Sequence, residues 1–304
     1  MCDLSDKMTY GIVGGVLWAL DTVVLALAMG PFEMAWVAVL VSCGLHDLAS
    51  VFWMCTYTTI KKKWKGIGRA LRTRSSRMVM AAALLGGPVG MLGYVFALQF
   101  LGAPLTSAVS AFYPGIAVLC GHFFFRERIS KEQIIGLGIM ILCIALMSAG
   151  DMSVTNFGLG ILAALCRVFG WGLEGVIIQH SMKEDLDNEV CLFLRQMTSA
   201  AVFCIVLIPI FSSITFTENV VSASGITIVL AALAGTCSYL FYYKAIGKIG
   251  ASRAMPLNSA YCAWTVLFAW LIQGQVPTIG QILLAIGIVA GAVLCANEKP
   301  SIIK

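Results

Sequence analysis

Apolar positions fall into ten runs of about 20 residues, at roughly 10–29, 34–57, 78–99, 104–124, 133–149, 157–180, 189–211, 225–245, 254–272 and 279–296. Each is long enough to cross a hydrocarbon core as a helix at 1.5 Å per residue. The polar stretches between them are short, so consecutive helices are expected to run antiparallel. The pattern predicts an all-α integral membrane protein of ten transmembrane helices.

Composition agrees. Of the 304 residues 60% are hydrophobic and 12% charged, with a mean hydropathy of +0.92. Soluble domains carry about 25% charged residues, and little of this chain lies outside the apolar runs, which leaves no room for a soluble catalytic domain. Met1 to Thr9 is short and polar, and no signal peptide is expected before the first run. The 11 cysteines are dispersed, without CxxC or metal-ligand spacing, and read as small apolar packing residues.

Charge then sets the expected orientation. With the N-terminus cytoplasmic, the inner segments hold Lys7, the basic residues of the 61–77 cluster, Arg126, Arg128, Lys131, Lys183, Lys244, Lys248, Arg253, Lys299 and Lys304. The outer loops carry acids such as Glu33, Asp151 and Glu218 but no Lys or Arg. This bias places both termini in the cytoplasm. It also accounts for the formal charge of +5 without a nucleic-acid partner, the lipid bilayer being the expected contact of the 61–77 cluster.

The chain repeats itself weakly. Trp18-Ala-Leu-Asp21 matches Trp171-Gly-Leu-Glu174, Tyr94-Val-Phe96 through Gly102 matches Tyr239-Leu-Phe241 through Gly247, Tyr113 matches Tyr261, and Gln133 matches Gln281. The shared order predicts two five-helix units, 1–150 and 151–304. Five is odd, so the units are inverted relative to each other, an arrangement that secondary transporters use to hold substrate near the midplane.

Six ionisable residues fall inside helices: Asp21, His46, Asp47, Arg167, Glu174 and Arg195. Each charge at the bilayer centre costs about 2.5–3.5 kcal/mol on insertion scales. Arg167, Trp171 and Glu174 recur at helical spacing and share a face. Two readings stay open, a buried structural ion pair with a packing Trp, or a binding stripe facing a cavity. Arg195 and Glu174 are expected to pair, as are Asp21 and Arg167. With His neutral there are three acids against two bases, which suits a site completed by a cation. Trp18 and Trp171 each precede a carboxylate by three residues, and an aromatic wall beside a carboxylate suits quaternary ammonium through cation–π contacts. Trp36, Trp53, Trp64 and Trp270 read as interfacial. Gly86-Gly87-Pro88, Tyr113-Pro114-Gly115 and Pro256 with Asn258 interrupt helices, as hinges, substrate contacts or packing kinks.

Several segments carry a family resemblance: His46-Asp47, Gly87-Pro-Val-Gly-Met91, Ser107 through Pro114, Gly170 through Glu174, Leu194-Arg-Gln-Met-Thr198, Ser238 through Tyr243 and Leu257 through Phe268. The whole chain resembles the drug/metabolite transporter superfamily, specifically its EamA-type domains, and these segments resemble the LicB-type bacterial choline importers. The chain offers no HExxH, nucleophile elbow or phosphate loop, so no enzymatic activity, cofactor or metal is expected, and the expected form is a multi-pass monomer or weak dimer in a bacterial inner or plasma membrane. The resemblance implies proton-coupled import of choline or a related quaternary-ammonium metabolite by alternating access. The alternative on the same fold is an exporter of amino acids or small drug-like metabolites. Carried over by position, Trp18, Tyr113, Trp171, Glu174, Gln196, Tyr239, Asn258, Tyr261 and Trp264 line the substrate cavity. Asp21 departs from the uncharged residue expected there. Glu174, His46, Asp47 and Asp21 are the candidates for proton coupling, since desolvation favours the neutral form of a carboxylate.

Overall fold

A computed structural model describes residues 2–32, 36–149, 154–184 and 186–297, with only the backbone course given for residues 2–6 and Ala103. Glu33, Asp151, Lys299 and Lys304, used above in the orientation count, lie outside the described residues. Among the described residues every regular element is helical. The α-helices are α1 (Cys2–Met29), α2 (Trp36–Ile60), α3 (Trp64–Ala70), α4 (Arg74–Leu84), α5 (Gly90–Ser110), α6 (Tyr113–Phe125), α7 (Lys131–Met147), α8 (Phe157–Glu184), α9 (Asn188–Val202), α10 (Ile208–Phe211), α11 (Ile214–Ile249), α12 (Ala251–Ser259), α13 (Tyr261–Gln273) and α14 (Ile279–Ala296). Two π-turns, Leu85–Val89 and Phe203–Leu207, join α4 to α5 and α9 to α10. Among the described residues nine continuous apolar helices reach 18 residues or more. The expected run at 133–149 is α7, a 17-residue helix.

The largest departure from the sequence reading is α11. It begins at Ile214, well before the expected 225, because Thr215, Thr217, Glu218, Asn219 and Ser222 read as loop. Ser213 caps it, its hydroxyl accepting from Phe216 N at 3.1 Å. The added turns are held by burial of Val220 and by Ser224 Oγ donating to Ala28 O at 2.6 Å.

The halves are interlocked. The first helix of each packs along the third helix of the other, α1 on α11 and α8 on α5. Likewise α1 meets α13 as α8 meets α6, while α7 pairs with α14. Exchanging the halves reproduces the pattern, as a two-fold duplication requires. Local geometry repeats too. Gly102 breaks α5 at φ 74°, ψ 168°, and Gly250 separates α11 from α12 at φ 82°, ψ 160°. Only glycine adopts this conformation without strain. Gly250, rather than the expected Gly247, is therefore the counterpart of Gly102, and it shares the separation of Tyr113 and Tyr261. Tyr94 then corresponds to Tyr242 rather than Tyr239. Gln133 and Gln281 match because each gives its backbone N–H to a capping hydroxyl, that of Ser130 at 3.1 Å and Thr278 at 3.2 Å.

Close approach is achieved with glycine, as is common between membrane helices. A Cβ at Gly93 would lie 2.6 Å from Ala163 O, and one at Gly170 2.5 Å from Leu85 O. At the α7–α14 crossing, a Cβ on Gly136 would lie 2.5 Å from Gly291 O. Large apolar side chains such as Phe123, Ile205, Ile226 and Leu283 point outward, where lipid is their natural solvent.

Candidate functional site

The interlock brings α1, α2, α8, α9 and α11 together around a buried charge chain. The imidazole of His46 lies between two carboxylates, Nε2 at 3.0 Å from Asp21 Oδ1 and Nδ1 at 3.7 Å from Asp47 Oδ1. Asp47 accepts from Ser199 Oγ and lies 3.5 Å from Arg195 Nη1. Arg195 Nε donates to Glu174 Oε1 at 2.9 Å, and its Nη1 donates to Gln196 Oε1 at 2.8 Å. The chain therefore runs Asp21–His46–Asp47–Arg195–Glu174 without interruption. Every member is at least nine-tenths buried, and charges this buried persist only when compensated.

The expected Arg195–Glu174 pair is present. The expected Asp21–Arg167 pair is not, because Asp21 is taken by His46. Arg167 instead lies against two rings, its guanidinium carbon 3.6 Å from the centroid of Tyr94 and 3.9 Å from that of Trp171. It forms no ion pair with a carboxylate among the described residues, and its Nε and Nη1 find no acceptor there.

Two spaces adjoin the chain. The larger, about 200 Å³, is lined by Trp18, Asp21, His46, Asp47, Gly86, Gly87, Tyr94, Arg167, Trp171, Arg195, Tyr239 and Tyr261 among others. It extends toward Met29 and Val39, the end of the bundle opposite the Lys61–Arg77 cluster. The smaller, about 30 Å³, is bounded by Trp18, Tyr113, Trp171, Glu174, Ser238, Tyr239, Tyr242 and Asn258. Trp18, Trp171 and Tyr239 border both and form the layer between them. Trp18 meets Tyr239 edge-on at 5.0 Å and Tyr261 at 6.5 Å, giving a three-ring corner that adjoins Asp21.

The Gly86-Gly87-Pro88 break is the π-turn, and it shapes the site. Pro88 has no N–H to continue the helical ladder, and Trp171 Nε1 donates to Gly86 O at 2.9 Å. A Cβ at Gly86 would fall within 1.9 Å of Glu174 Oε2, and one at Gly90 within 2.8 Å of Trp171 Cδ1. The glycines thus make room for the carboxylate and the indole. The Tyr113-Pro114 break starts α6, with Pro114 in its first turn, and Tyr113 OH accepts from Ser259 Oγ at 2.6 Å beside the matching break at Ala260.

Of the residues expected to line a cavity, seven border one or both spaces: Trp18, Tyr113, Trp171, Glu174, Tyr239, Asn258 and Tyr261. Gln196 borders neither and is fully buried behind Arg195. Trp264 lies elsewhere, in an apolar groove between α13 and α14 with Leu267, Trp270 and Ile286, although its spacing of three from Tyr261 suggests a shared face. Sequence reasoning missed Tyr94 and Ser199 as partners of Arg167 and Asp47. It also missed a buried polar cluster near the basic end, where Ser252 Oγ donates to Glu127 Oε2 at 2.6 Å and Gln179 Oε1 accepts from Ala251 N at 2.7 Å. Arg253, counted among the inner-segment basic residues, is buried there, 3.7 Å from Glu127. Pairing Tyr94 with Tyr242 at the Tyr113–Tyr261 separation would have singled out the first of these.

A duplicated bundle of apolar helices around a buried charged and aromatic cavity defines a polytopic membrane transporter. The chain belongs to the EamA-like transporter family, whose profile matches it twice, at residues 7–149 and 158–296, and so to the drug/metabolite transporter superfamily. It is 26% identical over 219 residues to Protein LicB of Haemophilus influenzae, covering 72% of this chain and 74% of that protein. It is 27% identical over 173 residues to an uncharacterized transporter of Methanothermobacter thermautotrophicus, covering 54% and 48%. A 67-residue stretch is 37% identical to a probable 4-amino-4-deoxy-L-arabinose-phosphoundecaprenol flippase subunit ArnE of Hamiltonella defensa, covering 20% and 55%. A crystal structure 16% identical to the chain superposes with a TM-score of 0.73, over 96% of this chain and 98% of that one, a likeness of fold.

Proposed function

We propose that the protein imports a small quaternary-ammonium metabolite, choline being the reference compound, across a bacterial plasma membrane by proton-coupled alternating access. The observation that carries this reading is the corner of Trp18, Tyr239 and Tyr261 set against buried carboxylates in a cavity of about 200 Å³. Methylated ammonium cannot donate hydrogen bonds, so it is held by ring faces and diffuse negative charge, each cation–π contact contributing about 0.5–2 kcal/mol. The volume suits a small metabolite. Arg167 lies over Trp171 and Arg195 over Tyr239, 3.9 and 4.9 Å from the ring centroids, so the cation rests on Trp18 and Tyr261, with Tyr239 closing the corner edge-on to Trp18. Glu174 sits across the Trp18–Tyr239 layer and supplies the charge met on passage toward the opposite end. The resemblance read from the sequence points to the same substrate class.

The termini and the basic cluster face the cytoplasm in this reading, and the five-helix halves are inverted. The cavity, reached from the other end, then belongs to an outward-facing state. Asp21, His46 and Asp47 are protonatable groups in reach of one another, and Arg195, which stays charged, ties Glu174 to Asp47, so protonation of one carboxylate changes the pairing of the other.

Counterflow of labelled choline in proteoliposomes tests the assignment. Exchange is expected for the wild type and its loss for Trp18→Ala. An absence of exchange at high choline would exclude choline as substrate, and net outward flux of amino acids would favour the exporter. Full proton-driven uptake by Glu174→Gln would remove Glu174 from the coupling route.

A further inference from the structure

Arg167 is used by nothing so far described. It is 4% exposed, its guanidinium lies against the rings of Tyr94 and Trp171, and Nε and Nη1 lack acceptors among the described residues. A stacked guanidinium has only its edge left for hydrogen bonds, and that edge favours a planar oxyanion. Arg167 borders the 200 Å³ cavity and also a separate void of about 70 Å³ lined by the hydroxyl-bearing residues Tyr94, Ser107, Ser110, Ser148, Ser259 and Tyr261. Ser110 Oγ is likewise buried without a partner. A buried cation and a ring of hydroxyls, with no carboxylate among the lining residues, make an environment for negative charge.

The duplication shows that the repeat unit does not require this arginine. Aligning Trp18 with Trp171 places Gly14 opposite Arg167, and the Gly102–Gly250 separation places Asn258 opposite Ser110. Both pairs are neighbours in space: a Cβ on Gly14 would lie 3.4 Å from Asn258 Oδ1, and Arg167 and Ser110 line one void. One spot joins glycine to a carboxamide beside Glu174. The other joins arginine to a hydroxyl, with no carboxylate in ion-pair contact with that arginine among the described residues. Within the charge chain, Arg195 already serves Glu174 and Asp47, and His46 serves Asp21. The lining is therefore dipolar, with an aromatic corner and acids on one side and an uncompensated guanidinium on the other.

We propose that Arg167 and the adjoining hydroxyls form a subsite for the carboxylate of a zwitterionic substrate, so that the preferred ligand is a trimethylammonium carboxylate rather than the alcohol choline. This deepens the transport reading above and rests on it for the ammonium end alone.

Glycine betaine and choline share the ammonium head and differ in carrying a carboxylate or a hydroxyl, and acetate probes the subsite by itself. Calorimetric titration of the purified full-length protein is expected to show tighter binding of glycine betaine than of choline. Arg167→Gln is expected to lower the betaine-to-choline affinity ratio by roughly tenfold or more, the size of a charge-assisted hydrogen bond, with partial recovery in Arg167→Lys. Acetate is expected to raise the unfolding temperature of the wild type saturably, beyond its effect on Arg167→Gln at the same salt concentration. Equal loss of both affinities in Arg167→Gln, or an Arg167-dependent shift with chloride and none with acetate, would overturn the subsite. Choline binding that Trp18→Ala abolishes, with no betaine binding and no acetate shift, would overturn it while the quaternary-ammonium reading stands. An Arg167-dependent acetate shift with neither ammonium compound bound would uphold the subsite and sink that reading instead.

Discussion

Arg195 holds two buried carboxylates and a carboxamide with one guanidinium, so its removal leaves Glu174 without its ion-pair partner and Asp47 with His46 and Ser199 alone. Breaking a buried pair by deleting one partner costs about 3–5 kcal/mol. Arg195→Ala is therefore expected to lower the unfolding temperature markedly in detergent, and Arg195→Lys, which lacks the fork to reach Glu174, Asp47 and Gln196 together, to fall between. Trp171→Phe keeps a ring against Arg167 but deletes the bond to Gly86 O. A loss of about 1 kcal/mol is expected from that single hydrogen bond, read as a thermal shift, together with slower transport. These residues differ in how visible they are in sequence. Charges inside apolar runs announce themselves, which is why Asp21, His46, Asp47, Arg167, Glu174 and Arg195 are legible as a set. Their pairing is not, because it depends on the depth and rotation of helices far apart in the chain. Asp21 and Arg167 looked complementary until α2 placed His46 next to Asp21.

At the scale of elements, hydropathy located the helices well because no water is present to satisfy an exposed backbone. It failed where polarity and helicity part company, as at Ile214–Ser224, whose threonines and serines are helical because α1 packs beside them. It also could not tell that the Gly86-Gly87-Pro88 break would become a π-turn shaped around Glu174 and Trp171. Glycines of the α7–α14 pair offer a matched test. Gly136 sits in backbone contact with Gly291, whereas a Cβ on Gly138 meets nothing within 4 Å. Gly136→Ala is expected to destabilise by about 1–3 kcal/mol, the usual range for overpacking, while Gly138→Ala is expected to leave the unfolding temperature unchanged or slightly raised. Equal shifts in both would mean that the crossing is looser than the geometry states.

At the scale of the molecule, the duplication was readable from four weak matches, yet one of them aligned the wrong glycine. Positive φ at Gly102 and Gly250 set the register, something residue identity alone does not reveal. The more consequential feature is that each half lends its first helix to the third helix of the other. Residues 1–150 or 151–304 expressed alone are expected to be degraded, whereas the two fragments produced together are expected to co-purify and to restore uptake; a half that is stable by itself would contradict the interlock.

That exchange of helices bears on ancestry. A lone five-helix unit would lack the third-helix surface on which its first helix lies, so a progenitor of that length would have to pair with a second copy of itself, each constrained by the other's sequence. Encoding the halves separately lifts that constraint: equivalent positions hold glycine at 14 and arginine at 167, a difference that two identical copies could not carry.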